Sequence, residues 1–571
     1  MYRKRILILM CIFLGIYLLL LGKTAYYQLI QGKDIAWEAV TMRSKEFALK
    51  EYPRGEILDR NLLPLTSSSI STAVYGIPQE LKRFYHKHSN MSNEQVSPYE
   101  DAAKALAGLL TQQDENEILA RLENADKQGL EFIKIASDLQ TEEIERINAA
   151  NIEGIAVAPI VKRYRQEGFC AHIIGYTGGG EDSEGLDGME KVYNGILQDA
   201  GSSRNLISVV DARGMAIQGL MFKLRKEEEK GKAAIVLTID KQIQEIVEET
   251  MSNYINKGAV VVMDIDSKEI LAMASRPAFN PYEVDNVIEN EDAGSALTNR
   301  AMSAYYPGSL FKILLTAAAL EEGIVDLEQP FHCSGSYVFN EQLSISCWKE
   351  EGHGDIDFSE AFALSCNPSF IEVGLRLGRE NLLKYVDKLH LIDPGITGYK
   401  NIYASHVSIN PGKAALGNAC LGQQGVKVSP VQLASLISTI ADDGCWRPPS
   451  LLRYTINEKG QKHLPELENK KPLISSETAR KMQRLMEKVV SEGTGKTAAL
   501  SETRVAGKTA TSQTGNLNED GEEILNAWFG GFFPAENPRW AVVVMVEDGK
   551  SGSQDAAPVF RDIARSMLNC Y

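Results

Sequence analysis

A serine and a lysine three positions apart, Ser309 and Lys312, open a segment, Ile313 to Leu320, that is apolar on every side. A helix apolar all round is a buried one. Three residues make nearly one turn, so the hydroxyl and the amine share a face. A serine needs a base before it can attack a carbonyl at neutral pH. A lysine can be that base only if desolvation or nearby positive charge lowers its pKa. The N-terminus of the helix adds backbone N–H groups suited to a developing oxyanion. The chemistry implied is acyl transfer through a serine nucleophile.

Two more elements follow in order. Ser365-Cys366-Asn367 comes after the helical run Phe358 to Leu364 and precedes Pro368. A hydroxyl and an amide two positions apart at such a break can point into one cleft, although an ordinary helix C-cap uses the same residues. Lys508-Thr509-Ala510-Thr511 falls in a strand pattern, with Lys508 and Ala510 on one side and Thr509 and Thr511 on the other. Such a strand can bind an extended peptide by backbone pairing, its hydroxyls and ammonium ready for a carboxylate. Each element is weak alone. A second copy of the first, Ser346 to Lys349, runs into the loop-like Glu350-Glu351-Gly352-His353-Gly354 and reads as structural. Gly493-Thr494-Gly495-Lys496-Thr497 looks like a phosphate loop, but Val490 stands where that pattern needs a glycine, so nucleotide binding is not expected.

Other elements must position these residues. Asp240 is a good N-cap for a helix with Ile243, Ile246, Val247 and Met251 at helical spacing. A hairpin follows, from Ala259 to Met263 and from Glu269 to Met273, turning at Asp266-Ser267-Lys268. Three strand patterns lie near the end: Arg504 to Thr511, Ala527 to Phe533 and Trp540 to Val546. The region between is mostly helical in pattern. Strands at both ends predict a sheet assembled from the two termini of one domain. Upstream, 142–151 reads as helix and 154–159 as strand. The charged stretch Lys226 to Lys232 marks the domain boundary.

The chain of 571 residues suggests roughly two to four domains. Its apolar share of 44% and charged share of 24% are those of a globular protein. A net charge of -16 argues against nucleic acid as partner and against general polybasic attachment to lipid. Arg3, Lys4 and Arg5 precede an uncharged run, Ile6 to Gly22, which predicts a membrane-spanning helix with a cytoplasmic N-terminus. No small-x-small cleavage site follows, so an uncleaved anchor is expected, with everything after residue 22 outside the cytoplasm. The eight cysteines form no CxxC pair and the eight histidines no HExxH, so no metal site is expected. Cys333 and Cys347 are the one tempting pair for a disulfide. Unpaired thiols in an exported chain suggest surroundings that oxidise thiols poorly. No further module is expected beyond the last helix.

In that order, Ser309-x-x-Lys312, Ser365-x-Asn367 and Lys508-Thr509-Ala510 resemble the signature set of the penicillin-binding protein and serine β-lactamase superfamily. Further segments resemble the class B penicillin-binding proteins, which are peptidoglycan D,D-transpeptidases with one membrane anchor. They are the run Pro53 to Asn61, Arg163-Tyr164, Ala171-His172 with Gly175-Tyr176, and Gly185 to Glu190. Leu237 to Asp240, Gly422 to Gly425 with Ser429-Pro430, and Trp528-Phe529 with Pro534 match the catalytic domain. Two positions depart from the pattern: Arg165-Gln166 replaces Tyr-Pro, and Ala510 replaces Gly. The first implies a changed turn; the second, altered substrate or β-lactam affinity rather than a dead site.

The resemblance implies an α+β fold: a five-stranded antiparallel sheet with helices plus an all-helical subdomain, preceded by an elongated N-terminal pedestal and one transmembrane helix. The expected bounds are 1–5 for a cytoplasmic tail, 6–22 for the membrane helix, 23–232 for a pedestal of dimerisation type and 233–571 for the transpeptidase domain. Ser309 would attack a stem-peptide carbonyl with Lys312 as base. Ser365 would relay a proton, and Asn367 would hold the substrate amide and Lys312. Lys508 would supply positive potential, and Thr509 and Thr511 would bind the substrate carboxylate beside Ala510. The N–H groups of Ser309 and Thr511 would form the oxyanion hole. The implied partners are peptidoglycan stem peptides, β-lactams and a polytopic membrane glycan polymerase, with no cofactor. No ExxLN segment of the kind that carries a deacylating Glu is present, which favours transfer over hydrolysis. The alternatives are a D,D-carboxypeptidase or β-lactamase-like hydrolase, and a weakly active scaffold of the cell-wall machinery.

Overall fold

A computed structural model describes residues 2–29, 31, 44–49, 54–66, 69–88, 97–111, 113–130, 132–178, 184–198, 204–209, 223–226, 233–289, 294–393, 395–399, 405–518 and 520–571. Pro53 and most of the expected boundary near 226–232 lie outside these residues. The chain divides into two compact units. One holds Met1–Pro53, Ser69–Lys162 and Gly201–Lys230; the other holds Arg54–Ser68, Arg163–Ala200 and Gly231–Tyr571. The chain therefore passes between units several times rather than once.

The first unit begins with one long helix, Tyr2–Leu29. Its apolar stretch Arg5–Gln28 contains 24 residues, about 36 Å at 1.5 Å each, enough to cross a bilayer core. The helix continues past Gly22 and Lys23, as the uncharged residues Thr24 to Leu29 allow. The same unit contains an antiparallel sheet with Ser69–Gly76 between Ile133–Ser137 and Ile155–Lys162. The strand expected at 154–159 and the helix expected at 142–151 are both present, the latter as Thr141–Ala150.

The second unit is built on five antiparallel strands: β1 (Gly258–Asp264), β2 (Ile270–Arg276), β3 (Ala506–Leu517), β4 (Glu523–Phe533) and β5 (Trp540–Val546). Their order across the sheet is β2-β1-β5-β4-β3, so the two ends of the domain do assemble one sheet. Alternation sorts its side chains onto two faces. Val260, Val262, Val542 and Val544 pack with Val247, Met251, Phe560 and Ile563 from the helices Lys241–Tyr254 and Ala557–Cys570. Val261, Met263, Val543 and Met545 face the opposite way, toward the helices Phe311–Glu321 and Pro430–Ala441. With both faces covered, β5 is buried along its whole length, which explains its unbroken apolar run. Asp240 caps its helix as expected, accepting from the N–H groups of Gln242 and Ile243. The helical region also carries two short ladders: Pro330–Cys333 with Gly354–Asp357, and Ser336–Asn340 with Leu343–Ser346.

The upstream segments that carry the resemblance gather around one buried carboxylate. Glu190 is fully buried and pairs with Arg54 at 2.9 Å and with Arg163, while Tyr164 Oη donates to it at 3.1 Å. Removing one member would leave a buried charge uncompensated. Asp59 accepts from the N–H groups of Asn61, Leu63 and Lys241. Gly55 has no room for a side chain, since a Cβ there would lie 2.5 Å from the Ala233 carbonyl oxygen. Arg165 pairs with Glu245 at 3.3 Å and lies over the Phe169 ring.

His172 is buried, with Nε2 donating to the Ala296 carbonyl at 2.7 Å and its ring edge-on to Phe279. Burial pushes its pKa down from 6.5 to about 4, and the charges of Arg300 and Arg276 act the same way. The unfolded chain takes up this proton near pH 6.5; the folded chain resists until about 4. The stability His172 contributes is therefore full above pH 6.5 and is lost as pH falls to about 4, by about 3 kcal/mol in all. His172→Gln keeps a donor toward Ala296 and should flatten the acid dependence of the urea midpoint across this window. A slope identical to that of the parent chain would contradict the assignment.

Candidate active site

Ser309 lies in the tight turn Gly308–Leu310 that leads into the buried helix Phe311–Glu321. Two glycines make this turn possible. Gly308 has φ +54° and Gly422 φ +69°, and the Gly308 N–H donates to the Gly422 carbonyl at 2.9 Å. A Cβ on Gly422 would lie 2.1 Å from the Gly308 carbonyl oxygen. The Gly422-Gln423 segment thus braces the Ser309 turn from behind, which gives that motif its physical reason. A Cβ on Gly308 would lie 3.0 Å from the Thr511 carbonyl oxygen, so the turn also sits directly against β3.

Lys312 is completely buried, and its Nζ has three oxygen acceptors. It donates to the Ser365 carbonyl at 2.9 Å, to Ser365 Oγ at 3.2 Å and to Asn367 Oδ1 at 2.8 Å. Ser365 Oγ in turn donates to Ser309 Oγ at 3.0 Å. Ser309, Ser365 and Lys312 form a continuous hydrogen-bonded chain. Burial pushes the Lys312 pKa down from 10.5 to about 8, within reach of the neutral amine a base requires.

Ser365 and Asn367 sit where one helix, Phe358–Ala363, ends and the next, Asn367–Leu377, begins. Ser365 takes φ +56°, unusual for a residue with a side chain. The break is a turn between two helices rather than a plain cap, with the Cys366 N–H bonded back to the Ala361 carbonyl. Asn367 Nδ2 donates to the Ser346 carbonyl at 3.1 Å, which fixes its Oδ1 toward Lys312.

Lys508 to Thr511 lie on β3, the edge strand, which among the described residues pairs with β4 alone. The other edge of β3 borders the cleft and leaves backbone groups for an extended ligand. Lys508 is fully buried behind the strand. Burial, and then the charge of Lys312, hold its pKa well below the usual lysine range. Thr509 and Thr494 share a hydrogen bond at 2.6 Å, and Thr511 Oγ1 accepts from the Gly552 N–H at 3.3 Å. Ala510 is 4% exposed, and its methyl group joins the core. A Cβ on Gly552 would lie 2.3 Å from the Trp528 carbonyl oxygen and 2.5 Å from that of Ala510.

A cleft of about 740 Å³ brings together Ser309, Ser365, Asn367, Thr509, Ala510 and Thr511. Lys312 and Lys508 lie behind its wall rather than on its surface. The cleft also includes residues that sequence reasoning passed over. Thr494 belongs to the phosphate-loop lookalike, whose glycines instead serve packing: a Cβ on Gly493 would lie 2.2 Å from the Ala363 carbonyl oxygen. Ser346 and Trp348, from the second Ser-x-x-Lys, line the cleft opposite β3, while Lys349 is exposed to solvent. Ser551, Gly552 and Ser553 close the cleft beside Thr511, a position no local pattern announces.

Two family models match the chain. The penicillin-binding protein transpeptidase domain matches residues 258–565, and the penicillin-binding protein dimerisation domain matches residues 50–237. Stage V sporulation protein D of Bacillus subtilis (strain 168) is 29% identical, over 99% of this chain and 85% of that protein. The peptidoglycan D,D-transpeptidase FtsI of Escherichia coli (strain K12) is 26% identical, over 98% of this chain and 90% of its own. Among solved structures, the D,D-transpeptidase domain of a peptidoglycan glycosyltransferase from Eggerthella lenta superposes with a TM-score of 0.58 at 25% identity, covering 73% of this chain and 93% of that one. An edge strand beside a serine with a buried lysine partner, in a domain that matches along its whole length, leaves one assignment: the chain belongs to the penicillin-binding protein transpeptidase family.

Proposed function

We propose that this chain is a peptidoglycan D,D-transpeptidase in which Ser309 carries the acyl group. The observation that supports this reading most is the chain of hydrogen bonds from Lys312 through Ser365 to Ser309. With Lys312 neutral, the chain can run the other way: Ser309 gives its proton to Ser365 Oγ, which passes one to the lysine. Ser309 Oγ then attacks the carbonyl of the penultimate D-alanine of a stem peptide. The N–H groups of Ser309 and Thr511 receive the developing oxyanion. Collapse of the tetrahedral intermediate breaks the peptide bond. The leaving amine of the terminal D-alanine takes a proton back along the same path. An amine of a second stem peptide then attacks the ester, forms the cross-link and frees Ser309.

The substrate carboxylate binds at Thr509 and Thr511, with Lys508 behind them. An arriving anion favours the charged form of Lys508. Like charges repel, so a charged Lys508 presses Lys312 toward its neutral form. Substrate binding and base activation are coupled through these two lysines. A β-lactam enters as a mimic of the same substrate. The burial of Ala510 within the core supports an active enzyme over the scaffold reading.

The long apolar helix at the N-terminus serves as a membrane anchor. Arg3, Lys4 and Arg5 set its N-terminus in the cytoplasm and the catalytic unit outside. A polytopic membrane glycan polymerase is the partner that would supply the strands to be cross-linked.

The full-length chain in detergent, treated with fluorescent penicillin, should acquire one covalent label, and Ser309→Ala should acquire none. A label that survives the substitution would rule out Ser309 as nucleophile. Ala510→Gly should change the rate of labelling by less than about tenfold, or about 1.4 kcal/mol, and should cost about 1 kcal/mol of stability. Gly552→Ala should slow labelling by more than about tenfold, because it pushes backbone against backbone beneath β3. Equal labelling rates in these two variants would count against the packing described beneath β3.

A further inference from the structure

Beneath the Ser365-Cys366-Asn367 turn, three thiols and an imidazole converge. Cys333 ends the strand Pro330–Cys333, and Cys347 follows the strand Leu343–Ser346. His353 precedes the strand Gly354–Asp357, and Cys366 caps the helix Asn367–Leu377. One ligand atom from each of the four lies within 4.8 Å of the other three. All three cysteines are buried and free. We infer that Cys333, Cys347, His353 and Cys366 form a structural site for a tetrahedral divalent cation, zinc, set directly behind the catalytic cleft.

The donor set fits. Three thiolates and one imidazole are a recurring set for structural zinc. Bond lengths of about 2.3 Å to sulfur and about 2.0 Å to nitrogen put tetrahedral ligands roughly 3.5 to 3.8 Å apart. Cys347 Sγ and His353 Nδ1 are already 3.6 Å apart. The buried Nε2 of His353 lacks a hydrogen-bond partner among the described residues. The Trp348 ring holds it edge-on at 5.3 Å. Cys366 already receives a supporting hydrogen bond, from Ser369 Oγ at 3.2 Å. Such outer contacts orient metal ligands. Binding exchanges three thiol protons for three metal–sulfur bonds, with no change of oxidation state.

The inferred site departs from the expectation of no metal. No CxxC announces it, because its ligands come from four separate elements. Its place also suggests its use. Cys366 stands between Ser365 and Asn367, and Cys347 follows Ser346, whose carbonyl holds the Asn367 side chain. A metal would tie the segment from Cys333 to His353 onto the turn that carries two active-site side chains.

The full-length chain, purified in detergent without added metal, should contain about one zinc per molecule by mass spectrometry of the elements. Cys333→Ser and His353→Ala should lose most of it, and Cys445→Ser, outside the cluster, should keep it. Exchange into cobalt should give sulfur-to-cobalt charge transfer and the intense visible bands of a tetrahedral thiolate site. That spectrum, taken on the unaltered chain, decides the matter even if a cysteine variant fails to fold. A chain that holds no zinc and takes up no cobalt would overturn the inference. So would iron in place of zinc, or a disulfide among Cys333, Cys347 and Cys366 in unreduced peptides. None of these readings uses penicillin, so failure here and failure of the acyl-transfer reading are separable.

Discussion

The site depends on keeping one amine out of water with three oxygens around it. Lys312 Nζ meets the Ser365 carbonyl, Ser365 Oγ and Asn367 Oδ1, all within 3.2 Å. Burial pushes the amine toward its neutral form, and the neighbouring Cys366 and Cys347 act against that pull. The balance leaves the lysine near the point where it can both take and return a proton. A lysine exposed on the cleft wall would stay charged, and one buried without acceptors would leave its N–H groups unpartnered.

The rest of the second unit holds this arrangement in place. The helix Phe311–Glu321 is buried over most of its length, so Lys312 cannot swing toward solvent. Close backbone contacts set the Ser309 turn against its neighbours: Gly422 against Gly308, and Gly308 against Thr511. A methyl group at Gly422 would separate the turn from its brace. The sheet then fixes β3 through β4, where Lys508 pairs with Gly530 and Ala510 with Trp528. Positions that differ by a fraction of an ångström are thereby set by packed backbone rather than by flexible side chains.

Much of this was legible in the sequence because the signals were local. The apolar run after Ser309, the Asp240 cap and the β-branched strands each show in a short window. Strand limits were less legible: β3 continues to Leu517, beyond Thr511, through polar residues that carry no alternation signal. The cleft wall opposite β3 was hidden for a different reason. Gly493 and Gly495 mimic a phosphate loop, but Gly493 exists to pass the Ala363 carbonyl, and that contact crosses more than a hundred residues of chain. The gathering of Cys333, Cys347, His353 and Cys366 was illegible on the same grounds. Metal motifs are recognisable when their ligands share a turn, and these share none.

Ser365 shows why the chemistry and the backbone cannot be separated. Its φ of +56° costs on the order of 1 kcal/mol for a residue with a side chain. That conformation lets both its carbonyl and its hydroxyl face Lys312. A relaxed helical residue would send its carbonyl along the helix axis, and Nζ would lose an acceptor. Glycine would relieve the strain but remove the hydroxyl that links the lysine to Ser309. The strain is held from both sides, by Trp348 Nε1 on the Leu364 carbonyl at 2.8 Å and by Asn367 on the Ser346 carbonyl. Both restraints engage the same short segment, Ser346 to Trp348, so the geometry of the Ser365 turn is set by a loop that itself lines the cleft.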